Sequence, residues 1–127
     1  MCIRDSVDYV IDVRVGSPTF GQWEAVTLDT TDRRAVYLSE GLGHAFCALE
    51  DDTTAMYLCT ATYNPTGEHG IHPLDAEVGL TLPDGIEPLL SAKDEAAPTL
   101  ADAAASGLLP TYAACTAWAA TLAERPR

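Results

Sequence analysis

Over residues 7–15 apolar and polar positions alternate: Val7, Tyr9, Ile11, Val13 and Val15 fall on one side, and Asp8, Asp12 and Arg14 on the other. Period two predicts a strand with one face on a core and one in water. The stretch Gly16, Ser17, Pro18, Thr19 ends it as a turn, since glycine reaches dihedrals closed to other residues and proline presets its own. A second strand is expected over 20–28, where Phe20 and Trp23 suit a pleated, half-buried surface. Further strands read at 34–38, 43–49 and 54–60, separated by short polar turns. This spacing predicts an antiparallel sandwich or barrel. From residue 61 the chain becomes rich in Pro and Gly, so an ordered loop system is expected, with one short strand near 78–82. Thr99 followed by Asp102 predicts a capped helix that Gly107 stops. Alanine-rich sequence with Trp118 and Leu122 one turn apart predicts a second helix over 112–124. The first six residues, MCIRDS, do not continue the pattern and read as a foreign leader, leaving 7–127 as a single domain.

Composition narrows the class. Hydrophobic residues make up 47% of the 127 and charged residues 20%, which favours a packed core over disorder. The formal net charge of −12 argues against a surface that tracks nucleic-acid phosphates or anionic lipid. No apolar run is long enough for a bilayer, and no signal-peptide pattern opens the chain, so a cytoplasmic protein is expected. Of Cys2, Cys47, Cys59 and Cys115, three lie in apolar stretches and no C-x-x-C occurs. Buried free thiols are expected, rather than a disulfide or a zinc site.

The candidate chemistry rests on His44, His69, His72, Tyr57, Tyr63, Glu68, Lys93 and Asp94. E-H-x-x-H at 68–72 invites a metal reading, but Gly70 and Pro73 oppose the helix that would aim both histidines at one ion, so no metal is expected. By itself, His44 reads as a hydrogen-bonded histidine at the edge of a core. Tyr57 reads as a core or barrel-lining aromatic, although a phenol lining a pocket can also donate a proton. Lys93 and Asp94 read as a solvated pair.

Taken together, DVRVGSPTFGQWEAVTLD, RRAVYLSEGLGHAFCAL, MYLCTATYNPTGEHGIHPLD, LSAKDEAAPTL and SGLLPTY resemble the C-terminal part of the dTDP-4-dehydrorhamnose 3,5-epimerase family. The resemblance implies an all-β, cupin-type jelly roll that lacks its N-terminal strands and ends in short α-helices. It implies an isomerase that uses no cofactor, acts on a dTDP-linked 4-keto-6-deoxyhexose in dTDP-rhamnose biosynthesis, and forms a homodimer. A ketone acidifies the neighbouring hydrogens, so such an enzyme needs a base, an opposed acid and a positive group for the enolate oxygen. By resemblance Tyr57 is the acid and Asp94 the carboxylate that orients the base histidine. His44, Glu68 and Lys93 contact substrate, with Tyr63 close by. The family's base lies in an R-G-L-H segment that does not occur here. The expectation is therefore a partial epimerase, inactive alone and prone to associate. The alternatives are a non-catalytic cupin-like module that binds a nucleotide sugar or a metal, and an interaction protein built on the helical tail.

Overall fold

The computed structural model describes residues 2–3 and 5–123. Its centre is a three-stranded antiparallel sheet in the order β3-β2-β4, made of β2 (Ser6–Asp12), β3 (Trp23–Leu28) and β4 (Leu42–Ala48). A two-residue strand β1 (Cys2–Ile3) pairs with an equally short β5 (Thr54–Ala55). Three helices follow: α1 (Ala92–Glu95), α2 (Leu100–Ala105) and α3 (Tyr112–Ala123). The result is a small sheet-rich fold with short helices.

The alternation read at residues 7–15 puts Tyr9, Ile11 and Val13 inside, as expected. Ile11 and Val13 form the core with Val78 from the loop system and Leu100 from α2, and Phe20, Trp23, Ile71, Leu80 and Leu109 pack against it. The expected wet face is not wet: Ser6, Asp8 and Asp12 are also buried. Strand β2 lies between two neighbours, and its carboxylates are kept by partners rather than by solvent. Asp12 accepts from Arg14 Nε and Nη2, both at 2.8 Å, and from the hydroxyls of Ser17 and Thr19. The Arg14 hydrogen bonds, joined by those of Ser17 and Thr19, hold the Asp12 carboxyl well below the usual carboxylate range although burial opposes them. Arg14 also lies over the Tyr112 ring, 5.1 Å from its centroid, which with the Val15–Thr111 bridge ties α3 to the sheet.

Several expected strands do not form. Residues 34–38 are irregular with Tyr37 exposed, and the expected strand at 54–60 is ordered as β5 only over its first two residues. A strand needs a ladder partner, and among the described residues none pairs with 34–38 or with 56–60, whereas Thr54 and Ala55 pair with β1. Residues 78–82 are irregular for a different reason. The Trp23 indole N–H donates to the Val78 carbonyl at 3.0 Å and the Tyr9 hydroxyl to the Thr81 carbonyl at 2.9 Å, so side chains from the sheet take the place of a neighbouring strand.

The helices follow the capping chemistry. The Thr99 hydroxyl accepts from the Asp102 N–H at 3.1 Å, and Gly107, at φ +72°, turns the chain out of α2. Helix α1, not anticipated, is capped in the same way by Ser91, which accepts from the Asp94 N–H at 3.1 Å. The predicted end of α3 at residue 124 lies outside the described residues. The expectation of buried thiols fails: Cys59 is exposed and Cys47 and Cys115 are half-buried, all three free. Apolar flanks bury a thiol only where a packed strand carries them, and residues 56–60 form none.

Candidate active site

Among the described residues strand β4 pairs only with β2, and a cavity of about 940 Å³ is lined by residues 43–51 of β4 and the turn after it. In register, Asp8 stands opposite Phe46 and Val10 opposite His44, so Asp8 and His44 are diagonal neighbours on one face. Their side chains meet: His44 Nε2 lies 3.0 Å from Asp8 Oδ2. An ionised carboxylate only accepts, which assigns the proton to Nε2 and leaves Nδ1 for a ligand. The His44 ring also meets Tyr57 edge to face, with centroids 5.8 Å apart and planes at 81°, and stacks on Phe46 at 6.5 Å. Tyr57 stands just beyond β5, about half exposed.

Helix α1 brings Lys93 and Asp94 to the same cavity, which is also lined by His69. Lys93 is the one Lys or Arg among the described residues that line it, whereas Glu50, Asp51, Glu87 and Asp94 are acidic. Asp94 Oδ2 accepts from the Ser91 hydroxyl at 2.6 Å, so the residue that caps α1 also orients this carboxylate. On the core side, burial pushes the Cys47 thiol up, and burial, assisted by Cys47, pushes the Tyr9 phenol up.

Four of the six residues given roles by the family resemblance, His44, Tyr57, Lys93 and Asp94, thus share one cavity. Glu68 lies beside it, lining a smaller cavity of about 210 Å³ together with His69, Lys93 and Asp94. It also has a local task, since its Oε1 accepts from the Asn64 N–H at 3.0 Å and closes the 64–68 turn. Tyr63 lines neither cavity and is 71% exposed. His72 uses Nδ1 to accept from the Leu74 N–H at 3.1 Å, an internal loop role. Among the described residues no group of three or more His, Cys, Asp or Glu side chains is placed to hold a metal ion.

Asp8 is the site residue that periodicity missed, because strict alternation sends it to solvent. Ser91 was missed although a signal for it exists: Ser91 and Asp94 repeat the three-residue spacing of Thr99 and Asp102.

The architecture is that of nucleotide-sugar epimerases. The rmlC epimerase of Mycobacterium tuberculosis superposes with a TM-score of 0.86 at 50% identity, covering 91% of this chain and 60% of its own. A 3'-monoepimerase of Streptomyces bikiniensis, solved with dTDP-quinovose, superposes with a TM-score of 0.84 at 52% identity, covering 94% of this chain and 60% of its own. The dTDP-4-dehydrorhamnose 3,5-epimerase of Mycolicibacterium smegmatis is 57% identical over 122 residues, 95% of this chain and 60% of that protein. The family model described as dTDP-4-dehydrorhamnose 3,5-epimerase matches residues 2–102. The chain belongs to this family, and it spans about 60% of the length of these relatives.

Proposed function

We propose that the chain carries the proton-donating and nucleotide-contacting part of a cupin-type epimerase acting on a dTDP-linked 4-keto-6-deoxyhexose. The observation that carries this reading is the edge-to-face meeting of Tyr57 with a carboxylate-held His44 in a cavity that Lys93 and Asp94 share. Loss of a proton next to the ketone leaves an enolate. Tyr57 returns a proton to the opposite face of that carbon. His44, its ring steadied by Asp8, contacts the sugar from the cavity wall. Lys93 takes the diphosphate, because an acidic cavity admits an anion only beside a cation. Asp94 orients the base, which by the family pattern comes from outside these residues: the R-G-L-H segment does not occur among the 127. Glu68, beside the cavity, contacts substrate, with Tyr63 close by. Exposed Phe46, Met56, Leu58, Leu74 and Leu89 support a homodimer, since apolar surface of this extent favours association.

Thermal denaturation tests the reading. dTDP and dTDP-sugars raise the melting temperature and divalent cations do not. Stabilisation by cations alone contradicts it in favour of a metal-binding cupin module. In deuterated solvent the isolated chain leaves the C3 and C5 hydrogens of the 4-keto sugar unexchanged. Full exchange would show that a base is present, with His44 and Asp8 the first candidates.

A further inference from the structure

Helix α1 buries none of its four residues. A helix of one turn cannot hold itself in water, and this one carries Lys93 and Asp94 to the cavity. Its place is therefore set by its flanks. On one side Ser91 caps it. On the other, residues 96–99 lead directly to α2, and the fixed φ of Pro98 limits how far that link can swing.

The start of α2 is anchored twice. The Leu100 side chain sits in the core, and the Leu100 N–H donates to Asp75 Oδ2 across a buried 2.7 Å hydrogen bond. The other carboxylate oxygen, Oδ1, accepts from the Glu77 N–H at 3.0 Å, and the His72 N–H donates to the Pro98 carbonyl at 2.8 Å. Asp75 is 8% exposed, and among the described residues no cation pairs with it. Each oxygen of the buried Asp75 carboxylate accepts from one backbone N–H, one at the start of α2 and one in the 75–77 turn, so the side chain ties these two segments together.

We infer that Asp75 is a positioning residue for the sugar-nucleotide site. By fixing the first turn of α2 it sets, through the Pro98 link, the placement of α1 that points Lys93 and Asp94 into the cavity. The inference rests on the proposed role of Lys93 in contacting the nucleotide.

The test is a titration calorimetry cycle on the chain with dTDP, comparing the parent, Asp75→Asn, Lys93→Ala and the double variant. Asp75→Asn turns an amide N–H₂ toward one of the two backbone donors, and the expected result is about tenfold weaker binding. In the Lys93→Ala background the same change costs less than about twofold, because its effect passes through Lys93. Equal factors in both backgrounds overturn the inference and show support of the fold alone. Pro98→Gly, which keeps Asp75 and its bonds but loosens the link, reproduces the weakening should Asp75→Asn fail to fold; parent-like binding by Pro98→Gly overturns the inference. Amide NMR supplies an arm free of ligand. In Asp75→Asn the resonances of Ala92–Glu95 move while those of β2 stay, and shifts confined to 72–79 and 98–102 contradict the inference. If dTDP does not bind the parent chain, the proposed function fails, and the NMR arm still decides the positioning claim.

Discussion

Asp12 gathers more partners than any other carboxylate among the described residues, and it joins β2, the turn that follows and, through Arg14, helix α3. Its carboxyl is held below the ordinary range chiefly by the Arg14 hydrogen bonds, so the unfolded chain takes up a proton there first as acid is added. The stabilisation is therefore complete above roughly pH 3.9, the unfolded value, and is lost as pH falls from there toward the folded value. Asp12→Ala is expected to cost about 2–3 kcal/mol at neutral pH, and urea denaturation of the two chains converges as pH falls below roughly 4. A gap that stays constant into strong acid contradicts the assignment. Asp8, the other buried acid of β2, meets His44 at the site. Neither acid was legible as buried, since alternation records which side a residue points to and not what stands there. His44, Tyr57, Lys93 and Asp94 were legible as a set only through the family motifs, because residue type alone left each with an ordinary structural reading.

At the scale of elements, the clearest sequence signals were local ones. Thr99 with Asp102 and Gly107 marked α2 because a cap and a stop are completed within one turn of chain. The strand expected at 34–38 and all but the first two residues of the one expected at 54–60 do not form, because a ladder depends on a neighbour that local sequence does not specify. The corner before β4 shows how strictly one position can be constrained. Gly41 sits at φ +86°, and a Cβ there would collide with Cys115 Sγ and come within 2.9 Å of Arg14 Cγ. Gly41→Ala therefore combines a left-handed backbone with a clash against the β2 and α3 junction. A loss of about 2 kcal/mol is expected in chemical denaturation, and an unchanged midpoint contradicts the packing described for α3.

Across the whole molecule, one face is finished and one is open. The core seals the side where α2 and the 71–80 loop lie on Ile11 and Val13, whereas β4 and the segment after β5 expose Phe46, Met56, Tyr57 and Leu58. Light scattering is expected to report dimers or larger species, and a stable monomer across the accessible concentration range contradicts the homodimer reading. The cavity reaches both faces: it is lined by exposed Phe46 and Tyr57 and also by Ile11, Val13, Ile71 and Leu80 on the core side. Replacing Lys93 with Ala removes the cavity's one Lys or Arg among the described residues and is expected to weaken dTDP binding by roughly tenfold. The most direct test of the account is an NMR titration of the aromatic-labelled chain with dTDP-4-keto-6-deoxyglucose. The account predicts that the His44 and Tyr57 ring signals and the Lys93 amide shift together along one saturation curve. Ring signals of His44 and Tyr57 that stay in place while the ligand binds elsewhere would contradict it.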